Sequence, residues 1–294
     1  MDKQIIDAHV HVWTDDFAAY PLAPGFDKED LWLPHFTPAD HFSYSQAVGP
    51  VRLNLVQMTW YGLDHSYILD LIANNPSRYG GTGIVAAIGD VSFPDPGKAM
   101  KALGKRGLRA FRVRGGKTGR QAFGDVNNWL DYPGYESMFK VATDEGLALS
   151  FLMGLGDLPD LERMCRRFPQ APVILDHVCG VRIQEGVWPQ EDIDRLCSMG
   201  RFPGVMVKLG PFQALGDGKA PYLDLLPLIQ QVVEAFGAER CMWESDSGGP
   251  VVMQNPQVDF AAAVALIQDH ANFLSVSEKE ALLFGTAARI FFCS

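Results

Sequence analysis

The chain has 294 residues, 47 % of them apolar and 20 % charged, a balance that fits a folded globular protein and excludes a disordered one. Its net charge of −10 argues against nucleic acid or an anionic membrane surface as a partner, and points to a small-molecule substrate. No apolar stretch reaches the ~18 residues of a spanning helix, MDKQIIDAHV shows no secretory leader, and the five scattered cysteines (Cys165, Cys179, Cys197, Cys241, Cys293) read as reduced thiols of a cytoplasmic protein.

The first element, IIDAHV (5–10), is a strand by its length and apolar content. Alternation puts Asp7, His9 and His11 on one face and Ile6, Ala8 and Val10 on the other. Residues 13–50 are rich in aromatics and prolines, a long loop ending in one helix near 37–48. VRLNLVQM (51–58) is the second strand, with Gln57 at its end, and HSYILDLIANN is its helix. GIVAAIG (83–89) is the third and GLRAFRV (107–113) the fourth, which ends in Arg112 and Arg114. GGKTG (115–119) looks like part of a phosphate loop, but Phe111 stands where the first glycine belongs and no helix follows. We read it as a cationic rim of Arg112, Arg114, Lys117 and Arg120, since arginine presents a planar fork to carboxylates.

The helix YESMFKVATDEG leads into LALSFLMG (147–154), a fifth strand without histidine, and DLPDLERMCRRF follows as a helix. PVILDHV (172–178) is the sixth strand and carries His177; GVMVKLG (204–210) is the seventh and carries Lys208. After the helix YLDLLPLIQQVVEAFG, RCMWESD (240–246) is the eighth and ends in Asp246, with FAAAVALIQDHANFL as its helix. Strands alternating with helices imply parallel pairing. Eight such units predict an α/β protein, a single (β/α)8 barrel over 1–294, regular or distorted, with a long first βα loop. The runner-up, a doubly wound sheet, ordinarily has a glycine-rich turn after its first strand, which HVHVWTDD is not.

A barrel places its chemistry at the C-terminal ends of its strands. A lone histidine there is usually structural. His9 and His11 together, with His177 and Asp246 on other strands, make a site instead, because so many converging polar groups need a ligand or a network to satisfy them. His35, His41, His65 and His270 fall in loops or helices and read as structural.

IDAHVH, LVQMTWYGLDHSYILDLIA, GLRAFR, VILDHVCG, VMVKLG, MWESDSGGP and LFGTAARIF together resemble the amidohydrolase superfamily, in the branch of 2-pyrone-4,6-dicarboxylate lactonase and the sugar-lactone hydrolases. The resemblance spans nearly the whole chain. It implies hydrolysis of a lactone that is carboxylate-bearing or sugar-derived, with Asp246 as general base and His9, His11 and His177 as carbonyl polarisers. It places Arg112, with Arg114 or Arg120, on a substrate carboxylate, and Gln57, Trp60, Tyr61 and Lys208 among the substrate-binding residues; Phe151 is a further wall candidate. Metal-dependent members add a Lys or Glu on the fourth strand and a His on the fifth, where this chain has arginines and none. No cofactor is therefore expected. The alternative is one zinc on His9, His11, His177 and Asp246, which would suit a decarboxylase or hydratase of an aromatic or unsaturated acid; a non-catalytic binding protein is a third reading. Glu244 replaces the usual small residue two before the aspartate, and an ion pair with Lys208 is expected for it. Ser247, Gly248 and Gly249 replace the family's following Trp, which would loosen the mouth.

Overall fold

The computed structural model describes residues 4–75, 85–91, 95–116, 128–254 and 259–292. Eight parallel strands among them pair in sequence order: β1 (Ile5–His11), β2 (Val51–Val56), β3 (Val85–Gly89), β4 (Leu108–Arg114), β5 (Ala148–Leu152), β6 (Val173–Leu175), β7 (Val205–Leu209) and β8 (Cys241–Trp243). One bridge, Val10 to Ser247, links β1 to the end of β8, where the His11 N–H donates to the Ser247 carbonyl at 2.8 Å. The predicted (β/α)8 barrel is thus the architecture.

The helices are α1 (Pro38–Ser45), α2 (Ser66–Asn74), α3 (Pro96–Gly104), α4 (Pro133–Glu145), α5 (Leu158–Arg167), α6 (Gln190–Cys197), α7 (Phe212–Leu215), α8 (Leu226–Phe236), α9 (Pro250–Gln254), α10 (Phe260–Ala265), α11 (Val276–Glu280) and α12 (Thr286–Phe291). Several begin where sequence chemistry says they should. Thr37 and Ser275 make capping boxes on α1 and α11, Asp95 caps α3, and proline opens α1, α3, α4, α5 and α8. No described helix is long and apolar enough to cross a membrane.

Strand alternation sorts the apolar residues into two clusters. Ile6, Ala8, Ala110, Ala148, Ile174, Met206 and Met242 fill the barrel, and α12 contributes Ala287 and Phe291 to the same cluster. Because α12 packs on β1, β4 and β8, it closes the N-terminal mouth. Leu53, Leu55, Phe111, Leu149, Phe151 and Val207 belong to the outer cluster beneath the helices.

β1 breaks the expected alternation. Its register against β2 shifts between Asp7 and Val10. Ile6 and Ala8 stay inside, Val10 joins the outer cluster, and His9 and His11 turn inward without Asp7. The expectation that these three polar residues share a face is corrected by this bulge. Side chains satisfy the backbone there: Asp7 Oδ1 accepts the His9 N–H at 3.2 Å, and Asn54 donates to the Ala8 carbonyl at 2.8 Å. Asp7 also accepts the Ser245 N–H at 3.0 Å and the Ser245 hydroxyl at 2.5 Å, and so ties the start of the barrel to its end. Burial raises its pKa to about 7, against those hydrogen bonds.

Candidate active site

β6 and β8 stop at Leu175 and Trp243, short of the apolar runs that suggested them. The backbone then turns left-handed at His177, Val178 and Cys179 (φ +52°, +46° and +53°) and at Asp246 (φ +53°). Such angles are costly for side-chain-bearing residues, most of all for β-branched Val178, and persist where surrounding contacts impose them. They place His177 and Asp246 beside the histidines of β1. The His9 and His177 ring centroids are 4.6 Å apart, and Asp246 Oδ1 lies 3.6 Å from His11 Nε2 and 3.7 Å from His9 Nε2.

Below them is a buried polar layer. Lys208 Nζ lies 2.9 Å from Asp176 Oδ1 and 3.1 Å from His9 Nδ1. Arg112 Nη2 lies 3.3 Å from Asp176 Oδ2 and 3.0 Å from His9 Nε2, and the Ser150 hydroxyl donates to Asp176 at 2.8 Å. Burial alone would raise Asp176, but Lys208 and Arg112 hold it well below the usual carboxylate range. The expected Lys208–Glu244 pair is corrected here: Lys208 goes to Asp176, and Glu244 Oε1 goes to His177 Nδ1 at 2.5 Å. Neither Asp176 nor Ser150 stood out in the sequence. The period of two from Ile174 and Ala148, both inside the barrel, points each of them inward.

Tautomers follow from the partners. His11 Nδ1 lies 2.9 Å from the Val56 carbonyl, which only accepts, so Nδ1 carries the proton and Nε2 faces the pocket as an acceptor. Burial and Arg112 lower the His11 pKa to about 3, and burial with Lys208 pushes His9 well below its ordinary value. Both are neutral. Burial also acts to lower His177, but the Glu244 carboxylate overrides it and raises the value to about 9. In this arrangement His177 and Arg112 have donors to give, and His11 Nε2 only accepts. Burial raises Asp246 to about 7, with His177 opposing the rise and Glu244 adding to it.

Ligand atoms of His9, His11 and Asp246 lie within 4.8 Å of one another, close enough to hold a metal ion. His177 falls in a separate grouping, with His9 and Glu244. A metal-bound histidine needs one bare nitrogen and an acceptor for its other N–H. Both nitrogens of His9 instead face cations, Arg112 at Nε2 and Lys208 at Nδ1, with Glu244 Oε2 at 3.3 Å from Nδ1. His9 Nε2 also lies 3.2 Å from His11 Nε2, so His9, His11 and Asp246 fit a divalent ion once Arg112 leaves His9 Nε2.

The remaining predicted residues divide. Arg114 sits at the rim with Asp90, 3.6 Å away. Lys117 and Arg120 lie outside the described residues. Gln57 donates to the carbonyls of Gly62 (3.0 Å) and Asp64 (2.6 Å) and so builds its own loop. Trp60 packs edge-on against Trp13 and Trp32, and the Tyr61 hydroxyl accepts the Thr14 N–H at 3.1 Å. Trp60 and Tyr61 hold the 13–50 excursion to the barrel. Phe151 packs outward on Phe139 of α4, not on the pocket. His65 is structural as expected: its Nε2 accepts the Asp90 N–H at 2.9 Å.

The Ser247-Gly248-Gly249 segment is tied down rather than loose. A Cβ on Gly248 would stand 2.2 Å from the His11 carbonyl, and one on Gly249 2.3 Å from both Asp246 carboxylate oxygens. Glycine lets the chain pass close to the general-base candidate and to the histidine strand.

The amidohydrolase family model matches residues 6–293. The chain belongs to the amidohydrolase family. An L-fucono-1,5-lactonase of Burkholderia ambifaria is 26 % identical over 255 residues, covering 82 % of this chain and 79 % of that one. Among solved structures, a Pseudomonas putida protein assigned as a 2-pyrone-4,6-dicarboxylic acid hydrolase superposes with a TM-score of 0.73 at 20 % identity, over 99 % of this chain and 98 % of that one. A zinc-bound amidohydrolase of Burkholderia multivorans superposes at 0.72 and 24 % identity, over 99 % and 100 %. At these identities the solved structures carry the amidohydrolase fold and nothing finer.

Proposed function

We propose that this amidohydrolase opens a lactone by metal-independent hydrolysis. The observation that carries the reading is the convergence on one rim of a carboxylate with its pKa raised to about 7, an imidazole nitrogen kept as an acceptor and two cationic donors (Asp246, His11, His177 and Arg112). Asp246 takes a proton from water, and His11 Nε2 accepts the water's other hydrogen. The hydroxyl adds to the lactone carbonyl, whose developing oxyanion is met by donors from Arg112 and His177. His9, fully buried, supports both from below.

The charge balance favours a sugar-derived lactone over a dicarboxylate. Arg112 and Lys208 already face Asp176, and Arg114 already faces Asp90. A polyol ring asks for hydrogen bonds and no spare cation; a dicarboxylate would have to displace these carboxylates. The B. ambifaria relative, named an L-fucono-1,5-lactonase, agrees with this preference.

The cluster of His9, His11 and Asp246 supports a second reading, in which Arg112 withdraws and zinc is held there for decarboxylation or hydrolysis. The deciding experiment is elemental analysis of the purified protein beside turnover of L-fucono-1,5-lactone, other neutral sugar lactones, 2-pyrone-4,6-dicarboxylate and dihydroxybenzoates, with and without chelator. Sugar-lactone turnover that survives metal removal is expected. Stoichiometric zinc required for turnover would overturn the metal-free reading, and inertness toward every lactone would overturn the hydrolytic one.

A further inference from the structure

The groups used by the hydrolytic reading stand on or just after β1, β4, β6 and β8. The residue that follows β3, Asp90, has no part in it. Along β3, Ala86 and Ile88 lie inside the barrel and Val85 and Ala87 in the outer cluster, so the period of two points Asp90 inward. On β4, Ala110 is inside and Arg112 reaches His9 from the same face, which sends Arg114 inward and nearer the rim. The ion pair of Arg114 Nη2 with Asp90 Oδ2 at 3.6 Å agrees with both placements. Asp90 is also fixed from behind. Its N–H donates to His65 Nε2 at 2.9 Å, and a Cβ on Gly89 would stand 2.5 Å from Leu108 Cδ1 and 2.8 Å from that same nitrogen.

The Asp90 side chain keeps 18 % of its surface exposed at the mouth. A carboxylate offers about four acceptor sites. Among the described residues none donates a hydrogen bond to them, since the Arg114 contact is too long for one. Arg114 balances the charge, so the site does not call for a cation. A substrate carboxylate would meet a like charge, whereas a neutral hydroxyl can donate. The strand order puts β4 opposite β8 in the barrel, with β3 beside β4. A lactone whose carbonyl lies over Asp246 and His11 therefore turns the far carbons of its ring toward Asp90.

We propose that Asp90 is a specificity-determining residue whose carboxylate accepts hydrogen bonds from the ring hydroxyls of a neutral sugar lactone. This rests on the hydrolytic reading above and names the group that separates a polyhydroxy lactone from a carboxylate-bearing one. His65 and Gly89 set the Asp90 backbone, and Arg114 holds the carboxylate in place and neutralises it. Asp90 takes no part in bond making or breaking.

The test compares two six-membered lactones on the full chain: L-fucono-1,5-lactone, which carries ring hydroxyls, and δ-valerolactone, which has none. Asp90→Ala is expected to lower the ratio of kcat/KM for the first over the second roughly 10–100-fold, with the loss in the KM of the hydroxylated lactone. Asp90→Asn keeps the shape and one acceptor oxygen, so its ratio falls between those of the alanine variant and the wild type; it serves if the alanine variant does not fold. Asp90→Asn also removes the like charge, and calorimetry is expected to show about tenfold tighter binding of 2-pyrone-4,6-dicarboxylate. An unchanged ratio in the variants overturns the proposal, including the case in which both lactones lose turnover equally, which a merely structural role would produce. Dicarboxylate binding no tighter in Asp90→Asn than in the wild type overturns the charge discrimination. If the wild type turns over neither lactone, the hydrolytic reading falls, and calorimetry with L-fucose, a neutral hydroxylated ring, decides the subsite. Weaker L-fucose binding in Asp90→Ala then sustains it, and equal binding or none overturns it.

Discussion

Replacing Gly249 by alanine adds a single methyl group beside the general-base candidate. The ideal Cβ would lie 2.3 Å from both carboxylate oxygens of Asp246, whereas ordinary contact begins at 3.4 Å. Asp246 must therefore move by about 1.1 Å, the difference of those two distances, or the glycine backbone must move instead. Either shift disturbs the 3.6 Å approach of Asp246 Oδ1 to His11 Nε2, the two groups that receive the attacking water in the proposed mechanism. Misplacing a reacting group by ~1 Å costs roughly 100-fold in rate, or ~2.7 kcal/mol of barrier at 1.36 kcal/mol per tenfold. Gly285→Ala is the control. Its nearest neighbour would be the Glu280 carbonyl at 3.8 Å, and its backbone is helical at φ −61° and ψ −45°. There the same methyl group stabilises by ~0.5–1 kcal/mol through helix propensity. The assay is kcat/KM on a turned-over lactone alongside thermal unfolding. We expect Gly249→Ala to lose about two orders of magnitude in kcat/KM with a melting temperature near that of the wild type. Wild-type turnover in a folded Gly249→Ala protein would refute the placement of Asp246 at the reacting centre.

Asp246→Asn removes the base while keeping the shape, and turnover is expected to fall by roughly 10²–10⁴-fold with little change in unfolding; a loss below tenfold rejects the role. The pH profile of kcat/KM is expected to be a bell. It rises as Asp246 loses its proton near pH 7 and falls as His177 loses its own near pH 9, so a profile still rising above pH 10 would remove His177 from the rate-determining chemistry. Lys208→Met leaves Asp176 with Arg112 and Ser150 alone and is expected to cost ~3–5 kcal/mol, a melting-point drop of roughly 10 °C. Adding Asp176→Leu to that variant should return part of the loss, and no recovery would argue that the two do not compensate one another.

The barrel was legible because its signal is periodic and repeated: eight apolar runs of strand length with amphipathic stretches between them. The cluster of His9, His11, His177 and Asp246 was legible because a barrel sends strand-end residues to one rim. What escaped depends on geometry that a period cannot carry. The β1 bulge changes which residues share a face, and it arises from pairing with β2, more than forty residues away. Asp176 and His177 are neighbours in sequence, and strict alternation lets only one of them point inward. The left-handed turn at His177 brings both to the site. Partner choice escaped as well: Lys208 goes to Asp176 and Glu244 to His177. Gln57, Trp60 and Tyr61 looked like pocket residues by position. The route of residues 13–50 gives Trp60 and Tyr61 partners of their own, and the loop after β2 gives Gln57 its own.

The buried polar layer explains why these details matter for chemistry. Ion pairs sealed inside a barrel cost desolvation, and apolar residues of similar volume would often be as stable or more so. Below the layer this barrel does use apolar side chains, from Ile6 to Met242, with Phe291 packed among them. The polar middle therefore buys something other than stability. Lys208 and Arg112 keep Asp176 ionised, burial and the same cations keep His9 and His11 neutral, and the Val56 carbonyl fixes the His11 tautomer with Nε2 as the acceptor. Glu244 keeps His177 charged. Four titratable groups that would otherwise take protons over overlapping ranges are thus fixed in complementary states around Asp246, whose raised pKa lets it exchange a proton near neutrality. In the proposed mechanism that separation of acid from base is set by the buried residues beneath the rim rather than by the groups at it. A substitution in the layer is accordingly expected to shift the pH profile before it abolishes turnover.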